Sequence, residues 1–85
     1  MYRVDVSRTV LRQLSRTADR DRGRILRTIH NLGSEPRPPG AIKLSGKVHR
    51  IRIGQFRVIY SIYDQEQSVL VTKVGRREKD TYRNV

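Results

Sequence analysis

Apolar positions follow a helical period in the first third of the chain and an alternating period in the second half. Tyr2, Val4 and Val6 alternate with Arg3 and Asp5, which predicts a short half-buried strand. Ser7 can cap a helix through its hydroxyl, and Val10, Leu11 and Leu14 then form the apolar stripe of a short first helix. Residues 17–22 are polar and suit a turn or the first turn of a second helix. That helix carries Ile25, Leu26, Ile29 and Leu32 on one face and ends at Gly33. Arg12, Arg16, Arg20, Arg24 and Arg27 stud the outer face of the resulting helical hairpin.

The stretch 34–40, SEPRPPG, is excluded from helix and central strand by its three prolines. It reads as a stiff connector, too short to separate two domains, so residues 1–85 are expected to form one domain. From Lys47 the period becomes two. Val48, Ile51 and Ile53 mark a strand, with Arg50 and Arg52 on its opposite face, and Gly54-Gln55 is a two-residue hairpin loop. A second strand covers 56–63, rich in β-branched and aromatic residues. A polar turn covers 64–67, and a last strand, 68–74, is closed by Gly75 before the charged tail RREKDTYRNV. The order β-α-α-β-β-β predicts an α+β fold, an antiparallel sheet with the N-terminal helical hairpin packed on one face.

Composition adds a partner to this picture. A chain of 85 residues buries only about 60–65% of its unfolded surface, so its core is thin. It has no cysteine, which fits a reducing compartment. No apolar run approaches the roughly 20 residues of a membrane span, and the Met-Tyr-Arg-Val start is not a signal peptide. The expectation is a cytoplasmic protein with no membrane partner. Nineteen Lys and Arg against eight Asp and Glu give a net charge of +11. Self-repulsion on that scale calls for a polyanionic partner. Most of the cations are Arg, whose planar fork clamps phosphate and stacks on bases.

Candidate chemistry is narrow. The chain has no cysteine nucleophile, no Gly-rich phosphate loop and no HExxH, and no cofactor or metal is called for. His30 and His49 lack partners at metal-ligand spacing, and Asp64 and Glu66 read as solvated turn residues. Arg50 and Arg52 share a strand face. A loop at Gly54-Gln55 pairs Ile53 with Phe56 and Arg52 with Arg57. Like charges directly opposed in a sheet repel, and they are tolerated where an anion sits between them. The pair marks either a phosphate site or an ordinary solvated face. Arg76 and Arg77 extend past the last strand, and Tyr82 follows at the same edge. A tyrosine among guanidinium groups can stack on a base, bond a 2′-OH or titrate below its usual range; alternatively it is a tail residue docked on the sheet. Tyr60 and Tyr63 read as core and rim.

The run Lys43-Leu44-Ser45-Gly46, then HRIRIGQFRVIYSI over 49–62, then VGRREKDTY over 74–82 resembles the RelE/ParE superfamily of toxin–antitoxin toxins. The resemblance covers nearly the whole chain, including the N-terminal strand and helical hairpin. It implies one of two activities. RelE-like members cut mRNA in the ribosomal A site, whereas ParE-like members poison DNA gyrase without cleaving nucleic acid. In the RelE-like reading, the family's two strand lysines fall on Arg50 and Arg52 and its phosphate-binding arginine on Arg57. Its arginine after the last strand falls on Arg77 and its C-terminal tyrosine on Tyr82. Lys43, Lys47, Arg76 and Lys79 are then expected RNA contacts, and a cognate acidic antitoxin is the implied protein partner.

One departure matters chemically. Arginine stays charged at accessible pH, so Arg50 and Arg52 are poor general bases where lysine can serve. Tyr82 is the candidate base, with Lys43, Lys47, Lys79 and ribosomal groups as substitutes. The sequence therefore predicts a metal-free, ribosome-dependent mRNA endonuclease toxin. A ParE-like gyrase inhibitor is the alternative, and an RNA-binding domain without turnover is a third class.

Overall fold

The computed structural model describes residues 1–76. Strand β1 is Arg3–Val6, helix α1 Arg8–Ser15 and helix α2 Asp19–Asn31. Strands β2 (Ile42–Ser45), β3 (Val48–Ile53), β4 (Phe56–Tyr63) and β5 (Ser68–Arg76) follow. Ser7 caps α1, its Oγ accepting the Val10 amide at 3.2 Å. The strands form one five-stranded sheet in the order β1-β5-β4-β3-β2.

The α+β class and the packing of the helical hairpin on one sheet face agree with the sequence reading, with two refinements. The sheet is mixed, because β1 runs parallel to β5, with Arg3 opposite Ser68 and Val6 opposite Val71. Short loops make β2 to β5 antiparallel neighbours, whereas β1 reaches its partner only after the rest of the chain has folded back. The sheet also gains β2, turned onto β3 at Gly46 (φ +49). All four β2 residues are exposed, so burial periodicity gives it no signal.

The core lies between the helices and one sheet face. Val10 and Leu14 of α1 and Ile25 and Ile29 of α2 meet Ile51, Val58, Tyr60, Ile62, Val69, Val71 and Val74. Leu11 and Leu26, expected in the helical stripes, are 56% and 46% exposed. A two-layer fold has core on only one side of each short helix, so the stripe stays narrow. Gly33 is buried but has no left-handed φ. Its role is close approach: a Cβ there would sit 3.0 Å from the Tyr2 carbonyl oxygen.

The connector is tied down at both ends. The Tyr60 hydroxyl donates to the Pro36 carbonyl at 2.8 Å. Arg37 grips Asp64 through two bonds of 2.9 and 3.2 Å, and the Tyr2 hydroxyl donates to the same carboxylate at 2.7 Å. Asp64 is thus not the free turn residue the sequence suggests; it joins the connector and N-terminus to the β4–β5 turn. The Arg37 guanidinium and then the Tyr2 hydroxyl hold its carboxyl down at about 2.

Candidate nucleic-acid interface

The sheet face away from the helices is built by the β3–β4 hairpin. Gly54 takes φ +58 at the first position of its two-residue turn, a conformation that suits glycine. The turn fixes the register, so Ile53 pairs with Phe56 and Arg52 with Arg57, as the sequence predicts.

A β-bulge then sets which β5 residues join this face. Ile59 pairs with Lys73 and Tyr60 with Val71, leaving Thr72 as the extra residue. The Thr72 hydroxyl donates to the Ile59 carbonyl at 3.3 Å. The Val74 amide, turned inward, donates to Gln13 Oε1 of α1 at 2.7 Å. Counting by twos from Val69 and Val71 would send Lys73 into the core; the bulge puts Val74 there instead and turns Lys73 outward.

The outcome is two cross-strand rows. One runs Arg52, Arg57, Gly75; the next runs Ile42, Arg50, Ile59, Lys73. Directly opposed side chains in such rows stand about 5 Å apart, and successive rows about 7 Å. Four cations therefore share a patch the size of one or two phosphate groups. The ion pairs among the described residues are Arg3–Asp5, Arg22–Asp19 and Arg37–Asp64, so none of the four meets a described carboxylate. Asp5 lies on this face, but on β1, beside Arg3. Gly75 adds no side chain beside Arg57, and a Cβ there would meet the Lys73 Cε at 3.8 Å.

Arg50 carries a further sign of strain. It is half-buried, and its Nε is sealed from solvent with no hydrogen-bond partner among the described residues. An unmet buried donor costs about 1–3 kcal/mol, and in native structures such groups often mark sites kept for function.

The other expected residues divide. Arg76 pairs across the sheet with Phe56 and lies over its ring at 5.6 Å, on the helix side. Strand β5 runs on to Arg76, past the stop expected at Gly75. Lys43 pairs with His49, also on the helix-side face, and Lys47 sits in the β2–β3 turn with its ammonium 5.4 Å from the Tyr63 ring. These three stand apart from the arginine rows. Arg77, Lys79 and Tyr82 lie outside the described residues. Sequence reasoning missed Lys73, hidden by the bulge, and His49, which is 5% exposed and stacked on Tyr60 at 5.7 Å. The parity of His49, Ile51 and Ile53 was the available signal for the second.

Comparison with known proteins fits this architecture. Residues 4–81 match the family model described as the ParE toxin of type II toxin–antitoxin systems. The chain therefore belongs to that toxin family. A curated Methanocaldococcus jannaschii protein bearing the name toxin RelE1 is 28% identical over 88 residues, covering 98% of this chain and 97% of its own. The archaeal RelE of the RelE–RelB complex from Pyrococcus horikoshii OT3 is 29% identical, with a TM-score of 0.85 over 92% of this chain and 97% of that one. The isolated E. coli RelE toxin has the same fold, with a TM-score of 0.81 at 17% identity, over 99% of this chain and 93% of that one. The protein is a RelE/ParE superfamily toxin of a type II toxin–antitoxin system.

Proposed function

We propose that this toxin is a metal-free RNA endonuclease that cuts mRNA on the ribosome and so arrests translation. The observation that carries the reading is the opposed pair Arg52 and Arg57, held in register and unmatched by any described carboxylate. An RNA phosphate placed between them relieves their repulsion. The 2′-oxygen attacks the adjacent phosphorus and the 5′-oxygen leaves, giving a 2′,3′-cyclic phosphate and a 5′-OH. Arg50, Arg52 and Arg57 stabilise the charge gathering on the phosphate oxygens, a contribution that preorganised donors make without reorganisation. Lys73 widens the same field. Arginine does not give up its proton, so the 2′-OH proton goes elsewhere. Tyr82 takes that proton, Arg77 stabilises the departing 5′-oxygen as a hydrogen-bond donor, and water supplies the proton that makes it a 5′-OH. Arg76 and Lys79 add contacts to the RNA.

The family description favours a second reading, a ParE-like inhibitor that binds DNA gyrase and cuts nothing. Incubation with translating ribosomes on one side, and gyrase supercoiling on the other, separates them. Cut message with unaffected supercoiling supports the nuclease; intact message with trapped gyrase breaks overturns it.

An acidic antitoxin encoded beside this chain is the expected protein partner. The P. horikoshii relative was solved as a RelE–RelB complex, and a +11 chain needs an acidic counterpart. No helix among the described residues is long and apolar enough to cross a membrane, and the proposed site of action is the cytoplasm.

A further inference from the structure

On the helix side of the sheet, away from the arginine rows, the β2–β3 turn and the β4–β5 turn enclose a cleft of about 480 Å³. Arg37, Lys43, Lys47, His49, Ile62 and Asp64 line it. Asp64 does not make it acidic. Its Oδ1 accepts from Tyr2 and Arg37, and its Oδ2 accepts from Arg37. With that pair cancelled, Lys43 and Lys47, whose ammonium stands 5.4 Å from the Tyr63 ring, leave the cleft a net positive charge among the described residues.

His49 gives the cleft a second kind of group. Its Nδ1 stands 2.8 Å from the Lys47 carbonyl oxygen, which also accepts the Ile62 amide at 3.0 Å. A carbonyl only accepts, so Nδ1 carries the proton, and in the neutral ring Nε2 holds a lone pair. No described group bonds Nε2. Among the described residues only Arg50 Nε is both sealed and unpartnered. His49 keeps 5% of its surface exposed and lines the cleft, and its Nε2 has no partner among the described residues. The ring is fixed by its bond to the Lys47 carbonyl and its stacking on Tyr60.

We infer that this cleft is a second RNA-binding site, in which Lys43 and Lys47 hold a backbone phosphate and His49 Nε2 accepts the neighbouring ribose 2′-OH. A ribonucleotide offers an anion and a hydroxyl donor on adjacent ring carbons, matching two ammonium groups beside one fixed acceptor. A carboxylate would satisfy the lysines and leave Nε2 facing another acceptor. The inference rests on RNA being the target, yet it uses neither the strand arginines nor Arg77 and Tyr82, to which the proposed cleavage is assigned. It makes His49 the group that distinguishes RNA from DNA on this face.

Amide and histidine NMR of the full chain, titrated with uridine 3′-monophosphate and its 2′-deoxy analogue, tests it. The expected result is the Nδ1–H tautomer at His49 and shifts at Lys47, His49 and Ile62, with the deoxy compound about threefold to tenfold weaker, the worth of one hydrogen bond. The surface double variant Lys43→Gln, Lys47→Gln should weaken both ligands; His49→Phe, which keeps the stacked ring, should remove the difference between them. Equal binding of the two nucleotides, an Nε2–H tautomer, shifts confined to Arg50, Arg52, Arg57 and Lys73, or occupancy by an acidic peptide alone would each overturn it. Loss of mRNA cleavage with the nucleotide response intact would instead count against the nuclease reading only.

Discussion

Arg52 and Arg57 face each other directly across the β3–β4 hairpin, with no described carboxylate to separate them. Opposed like charges cost a sheet a fraction of a kcal/mol, and an opposite pair returns a similar amount. Arg52→Glu should therefore raise stability by about 1 kcal/mol while abolishing toxicity. Urea unfolding together with a growth assay checks this. A variant that is less stable yet still toxic would contradict the phosphate role.

Arg50 makes the same trade in a different way. Its sealed Nε is a donor with no partner among the described residues, and Met fills the volume of the arginine stem without one. Arg50→Met is expected to stabilise the fold by about 1 kcal/mol and to weaken RNA binding. Thermal unfolding and RNA titration on one preparation read both.

Lys73 should behave as a phosphate contact. Replacing it by Gln is expected to lower the slope of log K against log salt by about 0.7 on single-stranded RNA. An unchanged slope would remove Lys73 from the interface. Gly75→Asp, which sets a carboxylate opposite Arg57, should weaken binding further with little effect on folding.

The Asp64 carboxyl titrates at about 2 in the fold, below its ordinary 3.8, because Arg37 and then Tyr2 hold it. The stability it contributes is complete above about pH 4 and is lost as pH falls through about 2, because the unfolded chain takes up the proton first. Asp64→Asn should flatten the acid limb in that window. Urea midpoints at about pH 2, 3 and 5 on both proteins check this.

Most of the scaffold was legible in the sequence because its signals are local. The hairpin register follows from the Gly54-Gln55 turn, and the buried positions Val10, Leu14, Ile25, Ile29, Val58 and Tyr60 follow from periodicity. What was hidden depends on distant or irregular pairing. The parallel β1–β5 contact joins residues more than sixty apart, and β2 buries nothing that would mark it. The bulge at Thr72 reverses the parity that would have exposed Lys73 to inference. Asp64 looked solvated because its partners, Tyr2 and Arg37, lie 62 and 27 residues away.

In the proposed mechanism the opposed arginines Arg52 and Arg57 hold the phosphate at which the message breaks. Mapping mRNA 5′ ends on translating ribosomes, with wild-type toxin and with Arg52→Gln, Arg57→Gln, tests it most directly. Discrete new 5′-OH ends are expected with the wild type, and their loss in a double variant that remains folded. Undiminished cutting by that variant, or no new ends with the wild type, would contradict it.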